Sequence, residues 1–246
     1  MKTSNKEFIR NAFTDNELQN GVWDNWDGRS KILTLKLINL ISDKIDFNDV
    51  KVILDIGARD GLQSLEFNRW FPNAQIYTFE PTSKGFNFAK NITKDIDNIK
   101  VLNYAINSFT GLTKFYEVYT GNIGASSLLP ISNHPRSRPN KQQEIEVNCI
   151  KLEEWFKENN INKVDIVWMD VQGAEDIVFN SFGEVLQNVE AIATEATIQP
   201  LYEGSTFKNE IDSILTNFNC IDMTPEPSNT EMDVIYLNKK YDTNIT

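Results

Sequence analysis

The sequence is poor in the side chains that bind transition metals. Its 246 residues include one histidine and two cysteines, and Cys149 and Cys220 are far apart and form no CxxC motif. A zinc site usually combines histidine, cysteine and carboxylate ligands, so carboxylates would have to supply most of them here. We therefore predict no metal site and two free thiols, which is typical of proteins in a reducing compartment.

Long apolar runs and an excess of positive charge are also missing. No stretch reaches the length of a membrane-spanning helix, and the segment Met1–Asp15 has no apolar run typical of a signal peptide. Lys and Arg number 24 against 35 Asp and Glu, which gives a formal net charge of −11. Phosphate backbones repel so acidic a chain. We predict a cytoplasmic protein with no membrane span and no nucleic-acid partner.

Short runs rich in β-branched and aromatic residues predict strands that are buried on both faces. Amphipathic segments between the runs predict helices. One of them has Ser83 as its N-cap, runs to about Asp95 and buries Phe86, Phe88, Ala89 and Ile92. Alternating strands and helices are typical of a doubly wound α/β fold with a parallel sheet. The predicted strands are Lys51–Ile56, Gln75–Phe79, Lys100–Tyr104, Val164–Met169 and Ala191–Glu195.

The stretch from Leu112 to Glu153 interrupts this alternation. Thr113–Tyr119 and Glu144–Ile150 predict the half-exposed strands of an inserted β-hairpin. The segment Gly121–Gln143 between them is a long loop, which inside a compact domain is more often a lid or binding loop than a linker. Ahead of the first strand, a helix over Lys31–Ile45 predicts an N-terminal helical extension (residues 1–48) before a single domain (residues 49–246).

The first predicted strand runs into a glycine turn and a helix, which is where doubly wound sheets bind ligands. The turn reads Gly57-Ala58-Arg59-Asp60-Gly61. Gly57 permits the tight turn, and Gly61 lets the helix pack closely on the strand. A dinucleotide fingerprint would have glycine in place of Arg59, so a nicotinamide cofactor is disfavoured.

Two carboxylates lie near the ends of the first two strands. Asp55 is awkward beside a pyrophosphate but suits the ammonium and sulfonium groups of S-adenosylmethionine. Glu80 is placed to accept hydrogen bonds from both ribose hydroxyls; taken alone, it is equally consistent with a solvated acid at a strand end. Together with the glycine turn, the pair indicates S-adenosylmethionine as the cofactor.

Three motifs in a fixed order give the chain a resemblance to the FkbM family of methyltransferases. They resemble the family patterns DxGAxxG, FEP and D-V-(E/Q)-G-x-E. In this sequence they read Asp55-Ile-Gly57-Ala58-Arg-Asp-Gly61, Phe79-Glu80-Pro81 and Asp170-Val171-Gln172-Gly173-Ala174-Glu175. Many methyltransferases share the first motif, whereas the ordered set is specific.

The resemblance implies a Rossmann-like class I methyltransferase sheet of seven strands, the last of them antiparallel, and S-adenosylmethionine as methyl donor. It also implies O-methylation, often of sugars or polyketide-like natural products. By the same likeness Pro81 and Gln172 lie at the cofactor site, and Ala105 and Ile106 flank the adenine. Ordinary core positions explain Ala105 and Ile106 nearly as well.

Three side chains are candidates for the general base that a weakly nucleophilic sugar hydroxyl requires. Asp170 is favoured because it ends a buried strand beside the expected sulfonium position. Glu195 ends the next strand, and His134, in the long loop, is the only residue whose ordinary pKa suits the task. The competing interpretation is that Asp170 and Glu175 shape the acceptor pocket and that Glu175 also caps a helix through the helix dipole.

Two further side chains are candidates for acceptor recognition. Arg136, in the long loop, can bind a phosphorylated or nucleotide-linked sugar, or simply face solvent. Trp26 can stack on a sugar ring, or fasten the N-terminal segment to the core. The favoured function is O-methylation of a small-molecule or saccharide acceptor. The alternatives are an NAD-type oxidoreductase and a non-catalytic binding protein with this fold; whether the chain forms a homodimer is left open.

Overall fold

The structure is a computed structural model that describes residues 28–225 and 229–241. Trp26 lies outside the described residues. The helices are α1 Gly28–Ile41, α2 Leu62–Trp70, α3 Ser83–Ile92, α4 Leu152–Glu158, α5 Glu175–Ser181 and α6 Lys208–Ile214. The strands are β1 Val52–Ile56, β2 Gln75–Phe79, β3 Ile99–Leu102, β4 Ala105–Ile106, β5 Gly111–Thr120, β6 Lys141–Ile150, β7 Ile166–Met169, β8 Ala191–Thr197, β9 Phe218–Pro225 and β10 Glu231–Asn238.

Seven strands form the main sheet in the order β3-β2-β1-β7-β8-β10-β9. Every neighbouring pair from β3 to β8 is parallel, whereas β10 is antiparallel to both β8 and β9. The predicted α/β sheet with an antiparallel last strand is therefore confirmed. Its order reverses at β1, between β2 and β7, which is the point where doubly wound sheets bind ligands.

Both faces of the sheet are covered by apolar packing. Successive residues of a strand point to opposite faces, so Ile53 and Leu54 are both fully buried but belong to two different clusters. The Ile53 cluster includes Leu37 and Ile41 of α1, which packs against β8, β10 and α2. The helix therefore covers one face of the sheet. Within the described ranges, no helix combines the length and apolarity needed to cross a bilayer.

Helix α3 differs in three details from the sequence-based expectation, the first being that it ends at Ile92 and not near Asp95. Its N-cap is Thr82, whose side chain accepts a hydrogen bond from the Gly85 backbone N–H, and Ser83 is the first helical residue. Ala89 is buried as expected, but Phe88 is 53% exposed. The expected burial of Phe88 was wrong, because this part of α3 borders an open cavity instead of the sheet.

The insertion after β3 forms a second, smaller sheet. β5 and β6 pair in antiparallel fashion as predicted, and β6 also pairs in parallel with the two residues of β4, which gives the order β4-β6-β5. The connection between β5 and β6 begins by folding back on β5, through a bridge between Tyr116 and Ser127. Residues of β5 and of this returning segment line the cavity described below. The proposed division at residue 48 stays a prediction.

Candidate functional site

A cavity of about 980 Å³ lies at the carboxyl ends of β1, β2 and β7. Small-molecule sites commonly have volumes of about 300–1,000 Å³, so there is room for a cofactor and an acceptor together. The main sheet and its helices contribute Ile56, Gly57, Arg59, Asp60, Phe79, Glu80, Pro81, Thr82, Lys84, Gly85, Asn87, Phe88, Asn91, Asp170, Val171 and Val178. The insertion contributes Phe115, Glu117, Val118, Tyr119, Ile123, Gly124, Ser126 and Leu128, and Tyr104, Ala105 and Ile106 join the two.

The turn after β1 is held tightly against the turn after β7. The backbone N–H groups of Gly57 and Ala58 both donate to the Phe79 carbonyl at 3.0 Å. Gly57 has φ +80°, and a Cβ there would lie 1.9 Å from the carbonyl oxygen of Asp170. Only glycine therefore allows the two turns to approach this closely. Arg59 also has positive φ, and its guanidinium pairs with Asp60 at 2.5 Å.

Glu80 is a buried carboxylate on the cavity wall whose orientation is fixed from both sides. Its Oε2 accepts from the Arg59 backbone N–H at 2.9 Å, and its Oε1 accepts from the backbone N–H and the hydroxyl of Thr82. A Cβ at Gly85 would lie 2.8 Å from Glu80 Cδ, so α3 begins close against this carboxylate. Burial raises the pKa of Glu80 to about 7.

Asp55 lies beside the cavity but does not line it. Its Oδ2 accepts a hydrogen bond of 2.5 Å from the Ser64 hydroxyl of α2. Its Oδ1 is buried and has no hydrogen-bond partner among the described residues. Burial raises the pKa of Asp55 to about 7, because the charged form loses its hydration. An unsatisfied carboxylate oxygen next to the glycine turn fits a cationic ligand group, acting directly or through water.

Of the other predicted cofactor residues, some line the cavity and some support it. Gly57, Arg59, Glu80, Pro81, Ala105, Ile106 and Asp170 are on the wall. Gly61 instead lets α2 approach α3, since a Cβ there would lie 2.8 Å from the Ala89 Cβ. Ala58 is buried in the turn.

The motif that follows β7 gathers polar groups at the sheet edge. Asp170 continues the strand pairing by donating its backbone N–H to the Ile56 carbonyl at 3.0 Å. The side-chain amide of Gln172 donates to Asp170 Oδ1 at 2.6 Å and to Glu195 Oε2 at 3.0 Å. The structure thus brings Asp170 and Glu195 to one amide group, but only Asp170 lines the cavity.

Glu175 is the first residue of α5 and is almost fully buried beneath this motif. Its Oε1 accepts from the Gly173 backbone N–H at 3.2 Å, and its Oε2 has no hydrogen-bond partner among the described residues. Burial, with a further contribution from the charge of Asp170, raises the pKa of Glu175 to about 8. The group is therefore a neutral acid near pH 7 and does not line the cavity.

Replacing Glu175 by glutamine is expected to change how stability depends on pH. The folded-state pKa of about 8 exceeds the ordinary value of 4.5, so this carboxyl stabilises the wild type at low pH and loses that contribution as pH rises through this window. Glutamine does not titrate. As pH rises from 4.5 to about 8, the free energy of unfolding of Glu175→Gln should therefore increase relative to that of the wild type, by up to about 1.4 kcal/mol per pH unit. Urea denaturation between pH 5 and pH 9 measures the difference.

The exposed residue Glu184 supplies the matched control for this comparison. Glu184→Gln should leave the pH dependence of unfolding parallel to that of the wild type. A Glu175→Gln curve that also ran parallel would show that Glu175 is ionised in the folded protein.

The long loop of the insertion lines the cavity at its beginning but leaves the cavity wall farther along the chain. Its beginning, from Ile123 to Leu128, lines the cavity. His134 lies away from the wall, where its Nε2 is 2.9 Å from Gln199 Oε1 and its Nδ1 accepts from the Arg136 backbone N–H. The Arg136 side chain is exposed and also does not line the cavity. The structure therefore does not bring these two candidates to Asp170.

Several wall residues were not found from the sequence. Phe115, Glu117 and Tyr119 alternate along β5 and all line the cavity, so an aromatic and acidic pattern in a half-exposed strand was the available signal. Phe88 and Tyr119 line the cavity and are more than half exposed, so they lie at its opening. Tyr202, which does not line the cavity, was also not found from the sequence. It is buried, and its hydroxyl lies 2.7 Å from Gln172 Oε1.

The sheet order, the glycine turn and the buried acid after β2 define a nucleoside-binding α/β protein of the class I methyltransferase type. Residues 55–220 match the Methyltransferase FkbM domain. The chain belongs to the FkbM methyltransferase family. The predicted family and enzyme class are confirmed, and the NAD-type oxidoreductase is set aside.

One similar protein supports this assignment, and the chain can also be compared with two solved structures. The 2-O-methyltransferase NoeI of Sinorhizobium fredii is 30% identical over 198 residues, which covers 77% of this chain and 80% of that protein. Fibrillarin in its complex with Nop5p has a TM-score of 0.50 at 12% identity, over 82% of this chain and 80% of that one. This second likeness concerns the fold alone. Magnesium protoporphyrin IX methyltransferase from Synechocystis PCC 6803 has a TM-score of 0.49 at 9% identity, over 95% and 97% of the two chains.

The cofactor is S-adenosylmethionine, and the residues present fit it. Glu80 offers a fixed carboxylate on the cavity wall, of the kind that binds ribose hydroxyls. The orphaned Oδ1 of Asp55 offers negative charge beside the glycine turn. Arg59 in place of glycine is compatible with this cofactor because it carries no pyrophosphate.

Proposed function

We propose that this protein transfers a methyl group to a hydroxyl of a saccharide, with Asp170 as the general base. The observation that carries the proposal is the place of Asp170, which lies on the cavity wall behind the glycine turn while the Gln172 amide orients its carboxylate. The name of the relative NoeI, a 2-O-methyltransferase, supports oxygen as the atom that is methylated.

Different residues of the chain bind the cofactor, align the reactants and remove the proton. When bound, S-adenosylmethionine would supply an electrophilic methyl group on its sulfonium, and the sulfur would become a neutral thioether once the methyl group is lost. Glu80 and the Gly57 turn hold the cofactor, and the surrounding cavity excludes water and aligns the reactants. The carboxylate of Asp170 removes the hydroxyl proton while the acceptor oxygen forms its bond to carbon. The proton leaves the site later, from the neutral carboxyl group of Asp170.

The insertion offers the surface on which an acceptor can lie. Along β5, Glu117 stands between the aromatic residues Phe115 and Tyr119 on the cavity wall. Aromatic faces pack against the C–H groups of a sugar ring, and a carboxylate accepts hydrogen bonds from its hydroxyls. Glu117 Oε2 is positioned by a 2.7 Å hydrogen bond from Gln143 Nε2. This combination supports a saccharide acceptor.

The proposal is tested by incubating the enzyme with methyl-labelled S-adenosylmethionine and a panel of acceptors. The panel contains methyl glycopyranosides, sugar phosphates, nucleotide-linked sugars and simple phenols, and NMR locates the new methyl group. We expect label on a saccharide hydroxyl. Transfer to phenols alone would overturn the saccharide proposal. Tight cofactor binding without transfer to any acceptor would favour the non-catalytic alternative.

A further inference from the structure

Gln172 is the centre of a hydrogen-bond network in which its side-chain donors and acceptor are used. Its two amide protons go to Asp170 Oδ1 at 2.6 Å and Glu195 Oε2 at 3.0 Å. Its Oε1 lies 2.7 Å from the hydroxyl of Tyr202, which is also 3.0 Å from the Ala125 carbonyl. The network joins the ends of β7 and β8 to the loop that follows β8.

The chemistry of these partners determines which way the amide points. Ionised carboxylates only accept hydrogen bonds, whereas a tyrosine hydroxyl can donate one. A flipped amide would place its oxygen against the carboxylates of Asp170 and Glu195 and its nitrogen against the hydroxyl of Tyr202. The observed orientation is therefore the one in which Gln172 makes three favourable contacts.

The backbone around Gln172 is held in place by two other segments. Gln172 has φ +56°, a conformation that residues other than glycine seldom adopt unless their surroundings impose it. The hydroxyl of Ser127, from the insertion, lies 2.9 Å from the Gln172 carbonyl. The carbonyl of Gly173 accepts from the backbone N–H of Thr206 at 2.8 Å and from its hydroxyl at 2.9 Å. These contacts keep the Gln172 side chain directed at the two acids.

The surroundings of Asp170 are strongly acidic. The charge of Asp170 acts on two buried acids, Asp55 of β1 and Glu175 of α5. The charges of Glu195 of β8 and Glu231 of β10, together with that of Asp170, act on Tyr202. Burial, followed by the charges of Glu231, Asp170 and Glu195, raises the pKa of Tyr202 well above its ordinary value of 10, so its hydroxyl keeps its proton. Carboxylates that share a site repel one another, and one of them takes up a proton unless hydrogen-bond donors stabilise the charged forms. The Gln172 amide supplies a donor to each of two of them.

We propose that Gln172 is a positioning residue for methyl transfer: its amide fixes the carboxylate of Asp170 and keeps it ionised beside Glu195, while Tyr202 orients the amide. This inference rests on the proposed role of Asp170 as base. Gln172 does not line the cavity, so it acts on the reaction through Asp170 alone.

The test compares Gln172→Met, which keeps a similar volume without donors, with Tyr202→Phe. Losing a hydrogen bond to a charged group changes an equilibrium or rate constant by about 10- to 100-fold. We therefore expect kcat of Gln172→Met to fall by about that factor, with little change in KM. Tyr202→Phe should lower kcat by about 2- to 10-fold. In both variants the acidic limb of the kcat–pH profile should move to higher pH, because Asp170 holds its proton more tightly. The acceptor is the best methyl glycopyranoside from the panel above.

Three controls separate positioning from a general loss of structure. Tyr236 is another buried tyrosine whose hydroxyl donates to a side chain, Asp212 Oδ1, at 2.8 Å, but it does not line the cavity. Tyr236→Phe should therefore leave kcat and its pH profile unchanged. Calorimetric binding of S-adenosylmethionine should be the same in all the variants. In an Asp170→Asn background, adding Gln172→Met should have no further effect on kcat.

The outcomes distinguish this inference from the proposed function. If the wild type methylates a saccharide and Gln172→Met keeps the wild-type kcat and pH profile, the positioning role is wrong and the function stands. An equal loss from Gln172→Met in the Asp170→Asn background also overturns it, because the residue would then act without Asp170. If the wild type methylates no saccharide hydroxyl, the proposed function fails and the inference falls with it.

Discussion

Gly57→Ala is expected to abolish detectable binding of S-adenosylmethionine and to lower the free energy of unfolding. The new Cβ would lie 1.9 Å from the Asp170 carbonyl oxygen, which is backbone and cannot rotate away. The turns after β1 and β7 must therefore separate, at a cost of about 1–3 kcal/mol. The left-handed conformation adds about 1–2 kcal/mol for a residue with a Cβ. Calorimetry measures cofactor binding, and urea denaturation measures stability.

Gly204→Ala is the matched control, because the two glycines have nearly the same positive φ. Gly204 has φ +81° against +80° for Gly57, yet no described atom outside Gly204 and its two chain neighbours lies within 4 Å of the point where its new Cβ would be. Gly204→Ala should lower the free energy of unfolding only by the cost of the left-handed conformation, about 1–2 kcal/mol. It should bind the cofactor as the wild type does. Equal cofactor affinity in the two variants would contradict the close approach of the two turns.

Asp170→Asn is expected to lower kcat by about 10²- to 10⁴-fold, the range typical of losing a general base. The amide is nearly the same size as the carboxylate but cannot take up the proton of the acceptor hydroxyl. Because Glu80 and the Gly57 turn are unchanged, the dissociation constant of S-adenosylmethionine should stay within a few-fold of the wild-type value. Single-turnover transfer of labelled methyl to a glycopyranoside measures the chemical step directly.

Glu195→Gln and His134→Asn discriminate between the candidate bases. Glu195 contacts the same Gln172 amide but does not line the cavity, so its loss should lower kcat much less than that of Asp170. His134 is bonded to Gln199 away from the wall. A variant of either residue that lost as much rate as expected for Asp170→Asn, while Asp170→Asn kept full activity, would reassign the base.

The strands of the main sheet could be predicted because their signal is local. Gln75–Phe79 is a short run of β-branched and aromatic residues, and the predicted bounds are those of β2. The existence of the helix after β2 was also predictable, although it ends at Ile92 and not near Asp95, but the exposure of Phe88 was not. An apolar residue on a helix is buried only if another element covers it, and here an open cavity lies beside α3.

Part of the site could also be predicted from local sequence signals. Gly57, Glu80 and Asp170 directly follow three strands, and carboxyl ends of neighbouring parallel strands meet at one edge of the sheet. A local motif at each strand end was therefore enough to bring these residues together. Tyr202 and Glu117 carry no such motif, because they reach the site through a loop and an insertion whose course the sequence pattern does not define.

The motifs alone identified the family, the cofactor and the edge of the sheet where the chemistry takes place, because each depends on residue types at fixed positions along single strands and turns. Tertiary structure decided which acids face the cavity, and it placed His134 and Arg136 away from it. It also made Gln172, outwardly one motif residue among several, the link between Asp170, Glu195 and Tyr202. Such contacts join residues far apart in the chain, so they depend on how the strands and loops pack, which no local pattern records.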